Sequence, residues 1–292
     1  MKTLELMSLK NKFSPGLIFF IILTILPFGA AFGYALLYSF GLVGMLNSGF
    51  TLQYWVSVFQ DGQLVNSFLY SGIIAAIAVI FSVATAIFIV LYLKQELKKP
   101  ALNFIIYMPL AVPGIVSAFF TYQLFSRTGF FSRLAFKTGT INQVASFPDL
   151  INDNLAFGIT LTFVTLLSPF FVLLYLNIYK NENVASLEQV AISLGASKKL
   201  TIYKVALPIL LKKSWTLIVL YFIFLLGSYE VPLILGQESP QMLSVLILRE
   251  LKQFDLAKIP EGYVMAVIYT LVVSLLAAIV FSAKKTERNY AD

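Results

Sequence analysis

The residues that could do chemistry in this chain are carboxylates, lysines and hydroxyl groups. The 292-residue sequence contains no histidine and no cysteine. Disulfides, thiolate nucleophiles, metal sites built on His or Cys, and Ser–His or Cys–His catalytic pairs are therefore excluded. A membrane-embedded enzyme would need a cluster of such groups. We expect no catalytic residue, no metal site and no cofactor bound by this chain.

One acidic residue, Glu230, stands out because it lies in the apolar stretch 214–235. A carboxylate at that depth is costly and usually faces the protein interior or a wet cavity. Gly227 and Pro232 bracket it, and both residues favour a break in the helix. Two interpretations stay open. Glu230 lines a polar passage and attracts cations, or it caps a broken helix or pairs with a neighbour such as Arg249.

A second notable segment is the basic loop 180–213, whose core reads SLEQVAISLGASKKLTIYKVALPILLKK from Ser186. Ser186 and Gln189, three residues apart, form a capping-box pattern that predicts the start of a helix. Apolar residues then recur at the spacing of one helical face. They are Leu187, Val190, Ala191 and Leu194.

The same loop predicts a second short helix after a turn. Gly195 is placed as the left-handed residue that ends the first helix. Ser197 is placed to cap a helix over 198–206, and Pro208 is expected to break it. Two short helices with apolar faces too small to fold alone must pack on their own membrane domain or on a cytoplasmic partner.

The elements that position these residues are membrane spans. Hydrophobic residues make up 59% of the chain and charged residues 12%, far from the balance of a soluble domain. Six stretches have the roughly 20 apolar residues that a helix needs to cross a bilayer. We predict an all-α membrane protein, a single domain over 1–292 with spans at about 17–40, 68–93, 102–125, 155–179, 214–235 and 263–281.

Several spans contain proline, which removes a backbone donor and tends to kink a helix. Kinked helices suit transporters and channels, although proline is also common in membrane helices generally. These prolines are Pro27, Pro109, Pro113, Pro169 and Pro232.

The distribution of basic residues predicts the orientation. Of the 21 Lys and Arg, only six fall in the loops of one side, and the other fifteen flank the opposite side. The basic side holds both termini, with Lys2, Lys10 and Lys12 at one of them, and it includes Lys94 and the loop 180–213. We expect both termini in the cytoplasm. The net charge of +7 then reflects topology, and we expect no nucleic-acid partner.

The loop resembles a known family. The spacing Gly195–x9–Val205–x–Leu207–Pro208 is similar to the EAA loop of permease subunits of binding-protein-dependent ABC importers. Aligned on Gly195, the Glu-Ala-Ala of that loop falls on 189–191, so its Glu is Gln189 here, with Glu188 one place earlier. The run Leu-Gly-Ala-Ser at 194–197 and the position of the loop between spans four and five are also typical of the family.

The resemblance implies a set of partners. The loop would be the coupling element that contacts a cytoplasmic ABC ATPase dimer. ATP would bind there, because the chain has no Gly-Lys pair and hence no phosphate loop. A second permease, identical or homologous, and an extracytoplasmic substrate-binding protein would complete an importer in the bacterial inner membrane. The residues implied in coupling are Ser186, Glu188, Gln189, Val190, Ala191, Gly195, Ala196, Ser197, Leu207 and Pro208.

The substrate is implied only in outline. The run GSYEVPLILG over 227–236 resembles permeases of the polyamine, iron, phosphonate and thiamine group. This favours a small polar solute, with a polyamine-like cation first, and Glu230 in the translocation pathway. The alternative is an ion-coupled secondary transporter or a channel. Such a protein would need its own site for the coupling ion, built from several buried acidic groups, and the spans contain only Glu230.

Overall fold

The computed structural model describes residues 15–44, 47, 49–93 and 96–289, and all regular secondary structure in these ranges is helical, with no strand. Lys2, Lys10, Lys12 and Lys94, used in the orientation argument, lie outside them. The helices in the described ranges are α1 Pro15–Ser39, α2 Gln53–Asp61, α3 Gln63–Leu93, α4 Pro100–Tyr107, α5 Gly114–Phe125, α6 Phe130–Lys137, α7 Phe157–Asn181, α8 Val184–Ser193, α9 Lys198–Thr201, α10 Leu207–Leu226, α11 Glu230–Leu235, α12 Leu243–Leu251 and α13 Ile259–Asn289.

The described residues form two compact units. Unit 1 contains the described part of Met1–Gly62 and Ile247–Leu271, and unit 2 contains Gln63–Leu246 and the described part of Val272–Asp292. The proposed coupling loop and Glu230 both belong to unit 2. The single domain predicted over 1–292 stays a prediction.

The all-α membrane fold is confirmed. Within the described ranges, five helical segments are long and apolar enough to cross a bilayer, or six if one bent pair counts as a span. Two short helices, α2 and α12, lie in segments between the predicted spans. The five long segments are Pro15–Ser39, Gln63–Leu93, Phe157–Asn181, Lys198–Leu226 and Ile259–Ser282.

The third predicted span, 102–125, is not one continuous helix. The segments Phe104–Ala111 and Gly114–Lys137 meet at an angle of 105°. The cause is Pro113, which restricts the preceding residue to extended backbone. Val112 has φ −92° and ψ 124°, and Pro113 has φ −60° and ψ 148°. Neither residue can carry the helix from α4 into α5.

In unit 2, α3 packs along α7 over most of its length. Small residues on α3, among them Ala75, Ala78 and Ala86, are fully buried, which lets the two backbones approach closely. Polar side chains tie the neighbouring helices to α7. Tyr175 on α7 and Ser214 on α10 are joined at 3.1 Å between their hydroxyl oxygens. This framework holds both segments that the sequence singles out.

In unit 1, α1 packs against the first turns of α13. The rings of Tyr38 and Tyr263 stack with their centroids 4.3 Å apart, an aromatic contact that adds to simple burial. The amphipathic helix α2 is held to α13 by the hydroxyl of Ser57, which donates to Glu261 Oε1 at 2.6 Å.

Candidate coupling loop and the junction of two broken spans

The first helix of the loop, α8, begins at Val184, earlier than predicted. The capping box is wrong, because Ser186 and Gln189 lie inside the helix. The cap residue is Asn183, with φ +47°, a conformation that asparagine tolerates better than most residues. Its carbonyl accepts from the N–H of Ser186 at 3.0 Å and of Leu187 at 3.3 Å. Asn183 thus lets the chain turn from α7 into α8 within two residues.

The turn between the loop helices has the geometry expected of it. Gly195 has φ +91°, so the predicted left-handed conformation is confirmed. The N–H of Gly195 donates to the carbonyl of Ile192 at 2.9 Å, and the N–H of Ala196 donates to Ala191 at 3.0 Å. Both bonds satisfy carbonyls that the end of α8 would otherwise leave free.

Ser197 caps the second helix, as predicted. Its side chain accepts from the N–H of Leu200 at 3.3 Å. The prediction that Pro208 ends this helix is wrong. A π turn over Ile202–Ala206 carries the chain from α9 straight into α10, and Pro208 lies in the first turn of α10.

The π turn explains why Pro208 is tolerated. The N–H of Leu207 donates to Ile202, five residues back, so the helix is wider there than an α-helix. A proline in a regular helix clashes with the carbonyl four residues earlier and leaves it unpaired. The wider turn gives the ring room. The loop is therefore joined to a membrane span without a flexible linker.

The first loop helix exposes much of its apolar face. Leu187 is 44% exposed, Val190 58% and Leu194 83%. Glu188 is only half-buried and points the other way, because its carboxylate accepts from the hydroxyl of Tyr179 at 2.6 Å. α8 is thus fixed to its own domain on one side and presents an apolar surface on the other. We call Leu187, Val190 and Leu194 the loop apolar face.

The structure brings the predicted coupling residues into one loop but gives them different exposures. Leu207 and Pro208 already belong to α10, so they connect the loop to the span. The coupling role of the whole set stays a prediction. The exposed members are Ser186, Gln189, Val190, Gly195, Ser197 and Pro208, and the half-buried ones are Glu188, Ala191, Ala196 and Leu207.

Glu230 lies where a span is broken. α10 ends at Leu226 and α11 begins at Glu230. The predicted break is therefore present at Gly227, whereas Pro232 lies inside α11. The Glu230 Oε2 accepts from the backbone N–H of Ile115 at 3.1 Å. That N–H belongs to the first turn of α5, where a carboxylate is favourable.

Glu230 thus caps the first turn of α5, a different helix from the one that contains it. A Cβ added at Gly114 would lie 3.3 Å from Glu230 Oε2, so glycine there allows the close approach. Arg249, suggested as an alternative partner, forms an ion pair with the buried Glu250 at 3.0 Å. The pathway role of Glu230 stays a prediction.

Sequence reasoning missed three residues that shape these sites. Asn183 had a usable signal, since asparagine directly after a long helix often takes a left-handed conformation. No sequence signal indicated Gly114 or Ile115, because their contact with Glu230 is long-range. Ile115 and Glu230 are 115 residues apart in the sequence.

The described residues thus form helical membrane spans with a partly apolar loop between two of them. The chain matches the model of a family described as binding-protein-dependent transport system inner membrane component, over residues 94–283. No curated protein matches it significantly. The family match covers more than half of the chain, and the protein belongs to this family.

Two solved structures share the fold. One is a bacterial ABC transporter involved in the import of the acidic polysaccharide alginate, with a TM-score of 0.68 and 15% identity, covering 98% of this chain and 96% of the other. The second is a bacterial alginate ABC transporter in complex with an alginate pentasaccharide-bound periplasmic protein, with a TM-score of 0.66, 18% identity and coverages of 95% and 92%. The protein is a permease subunit for binding-protein-dependent import.

Proposed function

We propose that this permease forms half of the translocation pathway of an ATP-driven importer in the bacterial inner membrane. A second permease, identical or homologous, supplies the other half. A separate cytoplasmic ATPase dimer binds and hydrolyses ATP, and an extracytoplasmic protein delivers the substrate. The observation that carries this proposal is the loop apolar face, which the chain's described residues leave uncovered.

The loop apolar face supports a protein partner. Leu187, Val190 and Leu194 lie on a short loop outside the spans, where apolar side chains have no lipid to cover them. Contiguous exposed apolar surface of this kind usually marks an interaction site. An ATPase groove that buries these three side chains would remove them from water. The amide of Gln189, where the family has Glu, still offers a hydrogen bond at the edge of the contact.

The connection between loop and span supports mechanical coupling. α9, the π turn and α10 are continuous, so a displacement of the loop moves α10 as a rigid element. An ion pair of 2.9 Å between Glu182 and Lys213 ties the beginning of the loop to α10. Closure of the ATPase on ATP would tilt α10 and open or close the pathway.

Glu230 supports a cationic substrate. Its carboxylate lies at the break between α10 and α11, close to the break between α4 and α5. Irregular backbone inside a membrane protein is tolerated where it lines a cavity or is buried in protein. A carboxylate at such a place attracts cations and repels anions. We propose a small polar solute, first of all a polyamine-like cation.

The two structural relatives support only one part of the proposal, the delivery of substrate by an extracytoplasmic protein. One of them was solved with a periplasmic protein bound to it, which is the arrangement proposed for this permease. Their substrate does not transfer, because at 15% and 18% identity the likeness extends to the fold only.

A charged residue placed on the loop apolar face tests whether an ATPase binds there. In the full chain co-expressed with an ABC ATPase subunit from the same source, Leu194→Asp is expected to abolish co-purification of the ATPase while the permease stays in the membrane. The matched control is Leu155→Asp, because Leu155 is 87% exposed and lies outside the coupling loop. Co-purification that survives Leu194→Asp and is lost with Leu155→Asp would contradict the proposal.

A further inference from the structure

The short helix α2 is held at the ends of two membrane spans of unit 1. The N–H of Thr51, just before α2, donates at 2.9 Å to the carbonyl of Phe40, the residue that follows α1. The ring of Phe40 stacks on that of Trp55 with the centroids 5.4 Å apart. In addition, the hydroxyl of Ser57 donates to Glu261, which lies in the first turn of α13. α2 is therefore fixed to the end of one span and the beginning of another.

These two span ends lie at the level of the lipid headgroups. α1 has 25 residues, which at 1.5 Å per residue makes it about 37 Å long. The apolar part of α13, Ile259–Ser282, has 24 residues and a similar length. The hydrocarbon core of a bilayer is only about 30 Å thick. Both spans thus extend beyond it, and a helix tied to their ends lies at the boundary between lipid chains and water.

The surface of α2 carries a strip that faces the protein and an apolar strip that does not. The first contains Val58, which is 1% exposed, and the stacked ring of Trp55. The second contains Leu52, directly before α2, and also Val56 and Phe59, each more than half exposed. These three are four and three residues apart, so they share one side of the helix. We call them the α2 apolar face.

A third strip of α2 is polar. Gln53, Gln60 and Asp61 are exposed, and at 3.6 residues per turn the two glutamines lie beside the α2 apolar face. Both strips run the full length of the helix. A helix standing upright in the membrane would therefore expose apolar side chains to water or polar side chains to hydrocarbon. A helix lying in the membrane plane places each strip at a single depth, which is the arrangement of an interfacial amphipathic helix.

Lipid is the partner that fits the composition of α2. The helix contains no Lys or Arg, and Asp61 is its one charged residue, so no charge on it attracts an anionic headgroup. Tyr54 and Trp55 belong to the residue types that are enriched where a membrane meets water. α1, to which α2 is tied, has no buried residue in its most apolar part, within the described part of the chain. The α2 apolar face thus continues the exposed apolar surface of a span.

We propose that α2 lies in the plane of the bilayer as an interfacial helix. The α2 apolar face is immersed among the ends of the acyl chains nearest the headgroups, and Gln53, Gln60 and Asp61 lie in the headgroup layer. The partner is the lipid surface itself, whatever its headgroup charge. Because α2 is tied to both α1 and α13, it fixes the depth of these two span ends. The inference does not depend on the proposed transport function.

The test places a nitroxide at single cysteines of the full chain, which has no cysteine of its own, in phosphatidylcholine vesicles. Power-saturation EPR then compares collisions with oxygen, which concentrates in lipid, and with a water-soluble nickel complex. We expect Val56→Cys and Phe59→Cys to collide mainly with oxygen, and Gln53→Cys and Gln60→Cys on the same helix mainly with nickel. Equal nickel collisions at all four positions would overturn the proposal.

Vesicles that also contain phosphatidylglycerol test the headgroup independence. The four labels are expected to give the same result there, and immersion that occurs only in the anionic vesicles would contradict the proposal. The label at Val56 also tests protein partners. Dipolar broadening between labelled chains would assign the α2 apolar face to a second copy of this chain. Exposure to nickel that ends only when a substrate-binding protein is added would assign it to that protein. Either result would overturn the lipid assignment.

A second measurement leaves α2 unaltered. The chain has two tryptophans, so Trp215→Phe makes Trp55 the single indole fluorophore. We expect its fluorescence to be quenched more by lipids brominated near the glycerol than by lipids brominated near the chain ends. Stronger quenching by the second kind of lipid, or none by either, would show that α2 does not lie at the interface.

Discussion

The carboxylate of Glu230 accepts a hydrogen bond of 3.1 Å from the backbone N–H of Ile115, and this bond joins the breaks of two spans. Ile115 lies in the first turn of α5, just after the bend at Pro113, and Glu230 is the first residue of α11. Each break exposes backbone groups that a membrane interior cannot satisfy. Here the side chain of one break satisfies the backbone of the other.

The first prediction concerns that bond. Glu230→Ala removes the cap and is expected to cost about 1 kcal/mol of stability, seen as a lower melting temperature in detergent. Glu230→Gln keeps an acceptor oxygen and removes the charge, so we expect a melting temperature near that of the parent chain and lower uptake of a polyamine-like cation. Both quantities are measured on one preparation.

The control for this series is Glu238→Gln, because Glu238 is exposed and lies outside α11. It is expected to change neither the melting temperature nor uptake. A Glu230→Gln protein that melts early and still transports at the parental rate would remove Glu230 from the pathway and leave it only a structural role.

The second prediction concerns Gly195. A Cβ there would meet no atom within 4 Å, so substitutions act through the backbone alone. ATP-driven uptake is expected to fall least in Gly195→Asn, more in Gly195→Ala and most in Gly195→Val. Among these residues, asparagine adopts a positive φ most easily and a β-branched residue least easily. Gly195→Ala is expected to cost about 1 kcal/mol in the folded loop.

Gly72→Ala is the matched control, because Gly72 also has open space around it but lies within α3 with no positive φ. Alanine favours a helix over glycine, so uptake and melting temperature should stay at or above parental values. Full uptake by Gly195→Val would contradict the assignment of this loop to coupling.

These residues separate what could be predicted from what could not. Gly195 and Ser197 were predicted because a left-handed glycine and a serine cap act on their immediate neighbours. Pro208 was predicted wrongly, because the π turn that accommodates it has no signal of its own in the sequence. The hydrogen bond from the N–H of Ile115 to Glu230 also could not be predicted from the sequence. It depends on how two broken spans pack, which no local pattern specifies.

The third prediction concerns orientation, which the charge distribution predicts and which stays untested. The chain is naturally free of cysteine, so single cysteines can report it. Asn142 and Ser197 are both exposed. In intact cells, Asn142→Cys is expected to react with a membrane-impermeant thiol reagent, and Ser197→Cys only after the cells are opened. The reverse pattern would place the coupling loop outside and contradict the ATPase partner.

The fourth prediction concerns a buried hydrogen bond between α7 and α5. The hydroxyl of Thr162 donates to that of Thr121 at 2.8 Å, and both side chains are buried. Thr162→Val keeps the shape but leaves Thr121 without this donor, at an expected cost of about 1 kcal/mol. The control is Thr165→Val, since Thr165 is exposed on the same helix and its hydroxyl donates to the backbone carbonyl of Leu161.

A double-mutant cycle with Thr121→Val isolates the pair. If the two hydroxyls act together, the double variant should lose less stability than the two single variants together. The melting temperature in detergent measures each corner of the cycle. Additive losses, or a loss in Thr165→Val equal to that in Thr162→Val, would show that this bond does not hold α5 against α7. In that case the packing of the buried side chains alone positions the capped end of α5 beside Glu230.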